Sequence, residues 1–243
     1  MIVNRLTEAH DQAALLAPLI SNVDGNIDFT VVSDGIIIDW HDVSDHLQFK
    51  HTYNETRFLK RVQQSDQALL KACNNKQRSI KSLLDLTGGW GIDSFILAYH
   101  GLRVTMLEQN ELVYHVSRYA INYARSIKQT SAAANRIELT HCSSIEFLLA
   151  QKKINQFDCI YLDPMFPDHK STAKPAKEMQ ILQQITQNQN IEECFKLALK
   201  KAAKRVVVKR PAKSKPFSSL APDLVYKAKT IRFDVYLVNN VLN

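Results

Sequence analysis

Apolar residues recur along this chain with two periods, and the switching between them predicts the architecture. From Ile27 to Val32 and from Gly35 to Trp40 apolar and polar positions alternate, with Ser33-Asp34-Gly35 between the two runs. Asp-Gly at that place predicts a β-hairpin, because a tight turn needs residues that tolerate positive φ. From Glu55 to Cys73, the residues Phe58, Leu59, Val62, Leu69, Leu70 and Cys73 follow a helical period, and the polar stretch Asn74–Ser79 ends it. From Ile80 onward, short apolar runs alternate with helical patterns. Strands are expected at Ser82–Leu86, Arg103–Leu107, Arg136–Thr140, Cys159–Leu162, Arg205–Lys209, Leu224–Lys229 and Ile231–Val238. Helices are expected at 92–100, 111–127, 143–152 and 176–203.

Strands that alternate with helices make βαβ units, hence an α/β fold with a mostly parallel, doubly wound sheet covered on both faces. Only Thr230 separates the last two expected strands, so they should close the sheet as an antiparallel hairpin. That outline is the Rossmann-like methyltransferase fold. At 243 residues the chain has room for one main domain and an appendage. The expected division is a small β-containing N-terminal region, 1–50, and a main domain, 51–243.

Composition narrows the class. With 45% hydrophobic and 23% charged residues, and only 6 Gly and 7 Pro, the chain can bury a sizeable core. No apolar run is long enough for a transmembrane helix, and Glu8, Asp11 and Pro18 break up the one apolar stretch near the start, unlike a secretory signal. Cys73, Cys142, Cys159 and Cys194 lie far apart with no C-x-x-C pair, which suits a reduced, cytoplasmic setting and no structural zinc. His100, His115 and His169 show no metal-ligand spacing, so no metal is expected. The net charge of +7 is modest, but its distribution is uneven: from Cys194 to Pro222 there are nine basic residues and no acidic one. A one-signed block of this kind attracts a polyanion such as nucleic acid when it forms one surface.

The candidate chemistry sits at strand ends. Leu83-Leu84-Asp85-Leu86-Thr87-Gly88-Gly89-Trp90-Gly91-Ile92-Asp93 is an apolar strand, a Gly-rich turn and a helix start. Glycines there let the backbone turn sharply and let a ligand approach the main chain. A dinucleotide site wants G-x-G-x-x-G, but Ser94 stands at the third glycine. The acidic-x-G-x-G-x-G pattern of S-adenosylmethionine sites is met by Asp85, Gly89 and Gly91, with Thr87 at the first glycine. Glu108 ends the second strand, where a carboxylate accepts hydrogen bonds from ribose hydroxyls of either cofactor. Ser143 and Ser144 follow the third strand and suit helix capping or an adenine edge.

Asp163-Pro164-Met165-Phe166-Pro167 follows the fourth strand, and ligands of open α/β sheets bind beyond these strand ends. It is similar to the (Asp/Asn)-Pro-Pro-(Phe/Tyr) loop of enzymes that methylate exocyclic amines. Such an amine is a poor nucleophile because its lone pair is delocalised into the ring. A carboxylate, Asp163, with the Pro164 carbonyl can accept both amine hydrogens, and Phe166 offers a face for an unstacked base. Lys170, Lys174 and Lys177 follow closely, and with Lys209 and Arg210 they are candidates for gripping RNA phosphates.

These segments, together with Met106-Leu107-Glu108-Gln109-Asn110, His141-Cys142-Ser143-Ser144, Lys177-Glu178-Met179, Lys204-Arg205-Val206-Val207-Val208-Lys209-Arg210-Pro211 and Arg232-Phe233-Asp234-Val235-Tyr236, resemble the bacterial ribosomal RNA small subunit methyltransferase J family over about residues 80–237. The resemblance implies S-adenosylmethionine as cofactor and the N2 amine of a guanosine in 16S rRNA as target. It implies a cofactor pocket from Ile92, Asp93, Glu108, Gln109, Ser143, Ser144 and Asp163, beside the Gly89 and Gly91 turn. The family usually has Ala at Gly88 and Arg at Ile92 and Gln109, so those contacts are expected to differ here. A Gly-rich basic stretch of the family falls roughly at Lys50–Arg61, where this chain departs from the pattern. Alternative readings are methylation of adenine N6 in DNA or of a glutamine amide, and a non-catalytic RNA-binding protein.

Overall fold

Two sheets organise the chain, and the larger one carries the strand ends that matter. The structure is a computed structural model that describes residues 26–41, 46–64, 67–74, 79–165, 177–186, 190–214 and 218–238. The smaller sheet is an antiparallel meander of β1 (Asn26–Val32), β2 (Gly35–His41) and β3 (His46–His51). The expected hairpin is there, with Val32 opposite Gly35. β3 was not expected: it has only Leu47 and Phe49 as apolar positions, too short an alternation to read.

Two helices follow, α1 (Thr56–Gln64) and α2 (Gln67–Cys73), in the stretch expected as one. The main sheet then contains β4 (Ser82–Asp85), β5 (Arg103–Glu108), β6 (Ile137–His141), β7 (Phe157–Leu162), β8 (Ala202–Pro211), β9 (Leu224–Lys227) and β10 (Ile231–Leu237) in the order β6-β5-β4-β7-β8-β10-β9. β6 through β8 run parallel, and β10 is antiparallel to both of its neighbours. Between strands lie α3 (Ile92–Tyr99), α4 (Glu111–Ser126), the short α5 (Ser131–Ala134), α6 (Ser144–Ala150), α7 (Lys177–Ile185) and α8 (Ile191–Lys201). The expected 176–203 helix is thus two helices. Asn190 starts the second by accepting a hydrogen bond from the Glu193 N–H at 3.2 Å, and Lys200 and Lys201 complement its C-terminal dipole.

Both faces of the main sheet are buried, as continuous apolar strands require. Leu83, Val104, Tyr161, Val207 and Phe233 pack on one face with Tyr53 and Phe95, while Leu84, Ile160, Val206, Val208 and Tyr236 pack on the other with Phe195. The small sheet buries Ile27, Phe29, Ile36 and Ile38 against Trp90, α4 and α7. Its β3 lies next to the C-terminal ends of the parallel strands, and the boundary expected at residue 50 falls inside it. The chain runs outward from β4 to β6 and then returns to β7 beside β4. That reversal opens a crevice between β4 and β7, the place where such sheets bind ligands.

Candidate active site

The turn after β4 is held by a buried acid. Asp85, 2% exposed, accepts through Oδ1 from the Thr87 N–H at 2.9 Å and through Oδ2 from the Ser94 hydroxyl at 2.6 Å. Burial pushes its carboxyl up to about 7, against the pull of these two donors. Past the turn, α3 begins at Gly91, whose φ of 69° lies in the left-handed region. Gly91 is glycine for a second reason, since a Cβ there would overlap the Tyr53 hydroxyl, which donates to the Trp90 carbonyl at 2.7 Å. Gly88 is packed onto β5 so closely that a Cβ would lie 2.7 Å from the Leu107 carbonyl oxygen. An alanine at this position would need a different approach of β5.

Glu108 closes this half of the site. Its Oε2 accepts from the Gly89 N–H at 2.7 Å and its Oε1 from the Asn110 N–H at 2.7 Å. Burial raises its carboxyl above the usual range, partly offset by those N–H donors. A carboxylate oxygen that accepts one N–H bond has a further lone pair, so Glu108, which lines the cleft, can also accept from a pair of hydroxyls.

The other half is built on β7 and β8. Tyr161 pairs with Val207, and two residues on, Asp163 lies beside Lys209. The Lys209 ammonium donates to Asp163 Oδ2 at 2.7 Å and to Asp93 Oδ2 at 2.8 Å, and the Tyr161 hydroxyl donates to the same Asp93 oxygen at 2.6 Å. Burial tends to raise the Asp93 carboxyl, but Lys209 and Tyr161 outweigh it and hold it below its ordinary value. Asp163 is instead pushed up, because burial and the Asp93 charge exceed the help from Lys209. Burial disfavours the Lys209 charge, but the two carboxylates more than reverse that, so its ammonium persists at any physiological pH. The halves are joined by Thr87, whose hydroxyl oxygen accepts from the Asp163 N–H at 2.7 Å.

A cleft of about 1330 Å³ runs between the halves and is walled by β3 and α1 on its open side. Of the expected site residues, Gly89, Gly91, Ile92, Asp93, Glu108, Gln109, Asp163, Pro164 and Lys209 line it. Ile92 is half-buried among apolar neighbours, so its side chain serves packing. Ser143 and Ser144 are not brought to the cleft. Ser144 is buried and donates its hydroxyl to the Leu86 carbonyl at 2.5 Å, tying α6 to the end of β4. Ser143 occupies the N-cap position of α6 without a side-chain cap bond.

Arg210, adjacent to Lys209 on β8, points to the opposite face and is 5% exposed. Lys177 is exposed at the start of α7 and does not line the cleft, while Phe166, Lys170 and Lys174 lie outside the described residues. Among the described residues, the one-signed block from Cys194 to Pro222 does not form one cationic surface. Lys204 pairs with Asp158 at 2.8 Å, Arg205 is 1% exposed with its guanidinium on the Ala72 carbonyl, and Lys209 points inward. Sequence reasoning gave no role to Thr87 or Tyr161, and reached the cleft-lining Arg57 and Arg61 of α1 only through the Lys50–Arg61 stretch. The period-2 alternation Tyr161, Asp163 could have flagged the tyrosine.

The donor set fits one kind of cofactor. A cleft lined by Asp85, Asp93, Glu108 and Asp163 suits a ligand that carries positive charge, and Glu108 suits a ribose. Strand order, glycine turn and paired acidic strand ends together define a Rossmann-like, S-adenosylmethionine-dependent methyltransferase. Residues 24–238 match the family described as "Putative SAM-dependent methyltransferase". A protein from Coxiella burnetii strain Dugway named "Ribosomal RNA small subunit methyltransferase J" is 39% identical over 173 residues, 71% of this chain and 66% of its own length. One of the same name from Francisella tularensis subsp. novicida is 33% identical over 189 residues, 76% of this chain and 78% of its own. The crystal structure of a SAM-dependent methyltransferase from Neisseria gonorrhoeae superimposes with a TM-score of 0.69 at 25% identity, covering 97% of this chain and 93% of that one. This chain belongs to the ribosomal RNA small subunit methyltransferase J family. Its match spans just under two thirds of the Coxiella relatives' length.

Proposed function

We propose that this chain transfers a methyl group from S-adenosylmethionine to the exocyclic N2 amine of a guanosine in 16S rRNA of the small ribosomal subunit. The observation that carries this reading is Asp163, presented at the sheet's reversal point across the cleft from Glu108. When bound, S-adenosylmethionine supplies an electrophilic methyl group on a sulfonium. Glu108 holds the ribose, the Gly89–Gly91 turn gives the methionine end close access to backbone, and Gln109 flanks the adenine end. Ser144 supports that end indirectly, through its bond to Leu86.

Asp163 and the Pro164 carbonyl accept the two amine hydrogens, which aims the nitrogen lone pair out of the ring plane. Most of the acceleration comes from that alignment and from charge placed beforehand, with no covalent enzyme intermediate. Phe166 stacks on the unstacked base, and Lys170, Lys174 and Lys177 hold flanking phosphates. Lys50, Arg57 and Arg61 line the mouth of the cleft and suit the same anionic backbone. The region 1–50 acts as a substrate-facing cap on the 51–243 methyltransferase domain. The reaction takes place in the cytoplasm, and no metal takes part.

The test is methyl transfer from radiolabelled S-adenosylmethionine to small subunits from cells lacking this gene, beside wild-type subunits and naked 16S rRNA. Label in the deficient subunits alone, recovered as N2-methylguanosine, is expected. Label appearing instead on adenine N6 of DNA or on a glutamine amide would replace the substrate, and no label with no cofactor binding would leave only RNA binding.

A further inference from the structure

Lys209 stands where a phosphate-gripping residue was expected, yet its ammonium is turned into the protein. It lies on the same sheet face as Tyr161 and Val207, is 19% exposed, and gives two hydrogen bonds shorter than 2.9 Å to carboxylates on different elements. Both bonds go to Oδ2 atoms, which leaves Asp163 Oδ1 without Lys209. Asp93 is itself fixed by the Tyr161 hydroxyl, so Lys209 hangs from a rigid anchor.

We propose that Lys209 is a positioning residue: anchored on Asp93, it holds Asp163 by Oδ2 and so presents Oδ1 to the target amine. This rests on the role given to Asp163 above. A lysine released to an RNA phosphate would abandon two largely buried carboxylates, a cost far larger than one solvent-exposed ion pair can offset. The groups that face Asp163 make the same point. Asp93 from α3 is negative, Asp85 from β4 is only part-ionised near neutral pH because burial raises its carboxyl to about 7, and Lys209 from β8 is the cation in contact. Arg61 of α1 acts on Asp93, and the hydroxyls of Tyr161 and Thr87 are neutral. Removing Lys209 therefore leaves Asp163 among like charges, where protonation and rotation away from the amine both become favourable.

Lys209→Met and Lys209→Arg in the full chain separate positioning from phosphate contact. In the methionine variant kcat should fall about 100-fold, as misplacement of a reacting group does, with KM for small subunits little changed. The arginine variant, which keeps the charge, should recover much of the loss. The 13C carboxyl signal of Asp163, followed against pH in the protein alone, should titrate about one pH unit higher in the methionine variant. A raised KM with unchanged kcat, and a salt slope of RNA binding reduced by about one, would mean a phosphate contact and overturn the proposal. An unmoved Asp163 titration would overturn it as well. Because the titration needs no RNA, it decides on Lys209 even if the wild-type protein methylates no ribosomal substrate. Should the methionine variant not fold, Asp93→Asn loosens the anchor alone and should lower kcat about tenfold at constant KM. Unchanged kcat there would sink the idea.

Discussion

The two halves of the cleft are made of different materials. The half after β4 and β5 is mostly backbone: a glycine turn whose N–H groups and carbonyls are fixed by Asp85, Glu108 and the Ser117 hydroxyl. The half after β7 and β8 is a network of charged side chains, Asp93, Asp163 and Lys209, braced by Tyr161. A cofactor that is the same in every turnover suits a rigid backbone mould. A nucleotide that must be drawn out of folded RNA suits groups whose charge and hydrogen bonding do the selecting. On this view a change on one side should spare the other.

The largest separation is expected from Asp163→Ala, which removes the group proposed to meet the amine. Methyl transfer should drop about a thousandfold while cofactor affinity and thermal midpoint stay close to wild type. Parallel turnover and calorimetric binding measurements check this, and near-normal turnover would refute the role. Next comes Gly91→Ala, which meets an unfavourable φ and the Tyr53 hydroxyl together. It should destabilise the fold by about 2–4 kcal/mol in urea unfolding, and adding Tyr53→Phe should restore part of that. Absence of any recovery would mean that backbone strain alone sets the cost. The smallest effect is expected from Glu108→Gln. An amide places an NH2 against one of two backbone N–H donors, so cofactor affinity should fall about tenfold. KM for small subunits should not move, and a matching rise would show that the halves are not separable.

The legibility of the molecule follows the same division. The turn residues Asp85 to Gly91, Glu108 and the Asp163-Pro164 pair are contiguous or end recognisable strands, so local pattern was enough to locate them. The parallel sheet followed from the βαβ alternation, and the closing hairpin from the short gap at residue 230. The Lys209 network was invisible, because Asp93 and Lys209 are 116 positions apart and meet only where the start of α3, after β4, comes up against the end of β8. Ser144 was ambiguous for the opposite reason. A hydroxyl after a strand looks available, and only packing shows it spent on the Leu86 carbonyl. The basic block misled because charge along a strand is divided between the two faces of a sheet, and here both faces are covered.

The place of β10 bears on how the molecule is made. The strands of the cofactor half, β4 to β6, lie within the continuous stretch from Ser82 to His141, so they have one another as partners before β7 is made. β8 gains its outer partner only when β10 arrives, and Lys209 sits opposite Phe233 in that pairing. A nascent chain paused before β9 would carry the glycine turn and Glu108, with an open strand edge beside Lys209 that invites pairing with other chains. The mould for the cofactor is thus an early product of translation, and the Lys209 network proposed to position the target base is finished last.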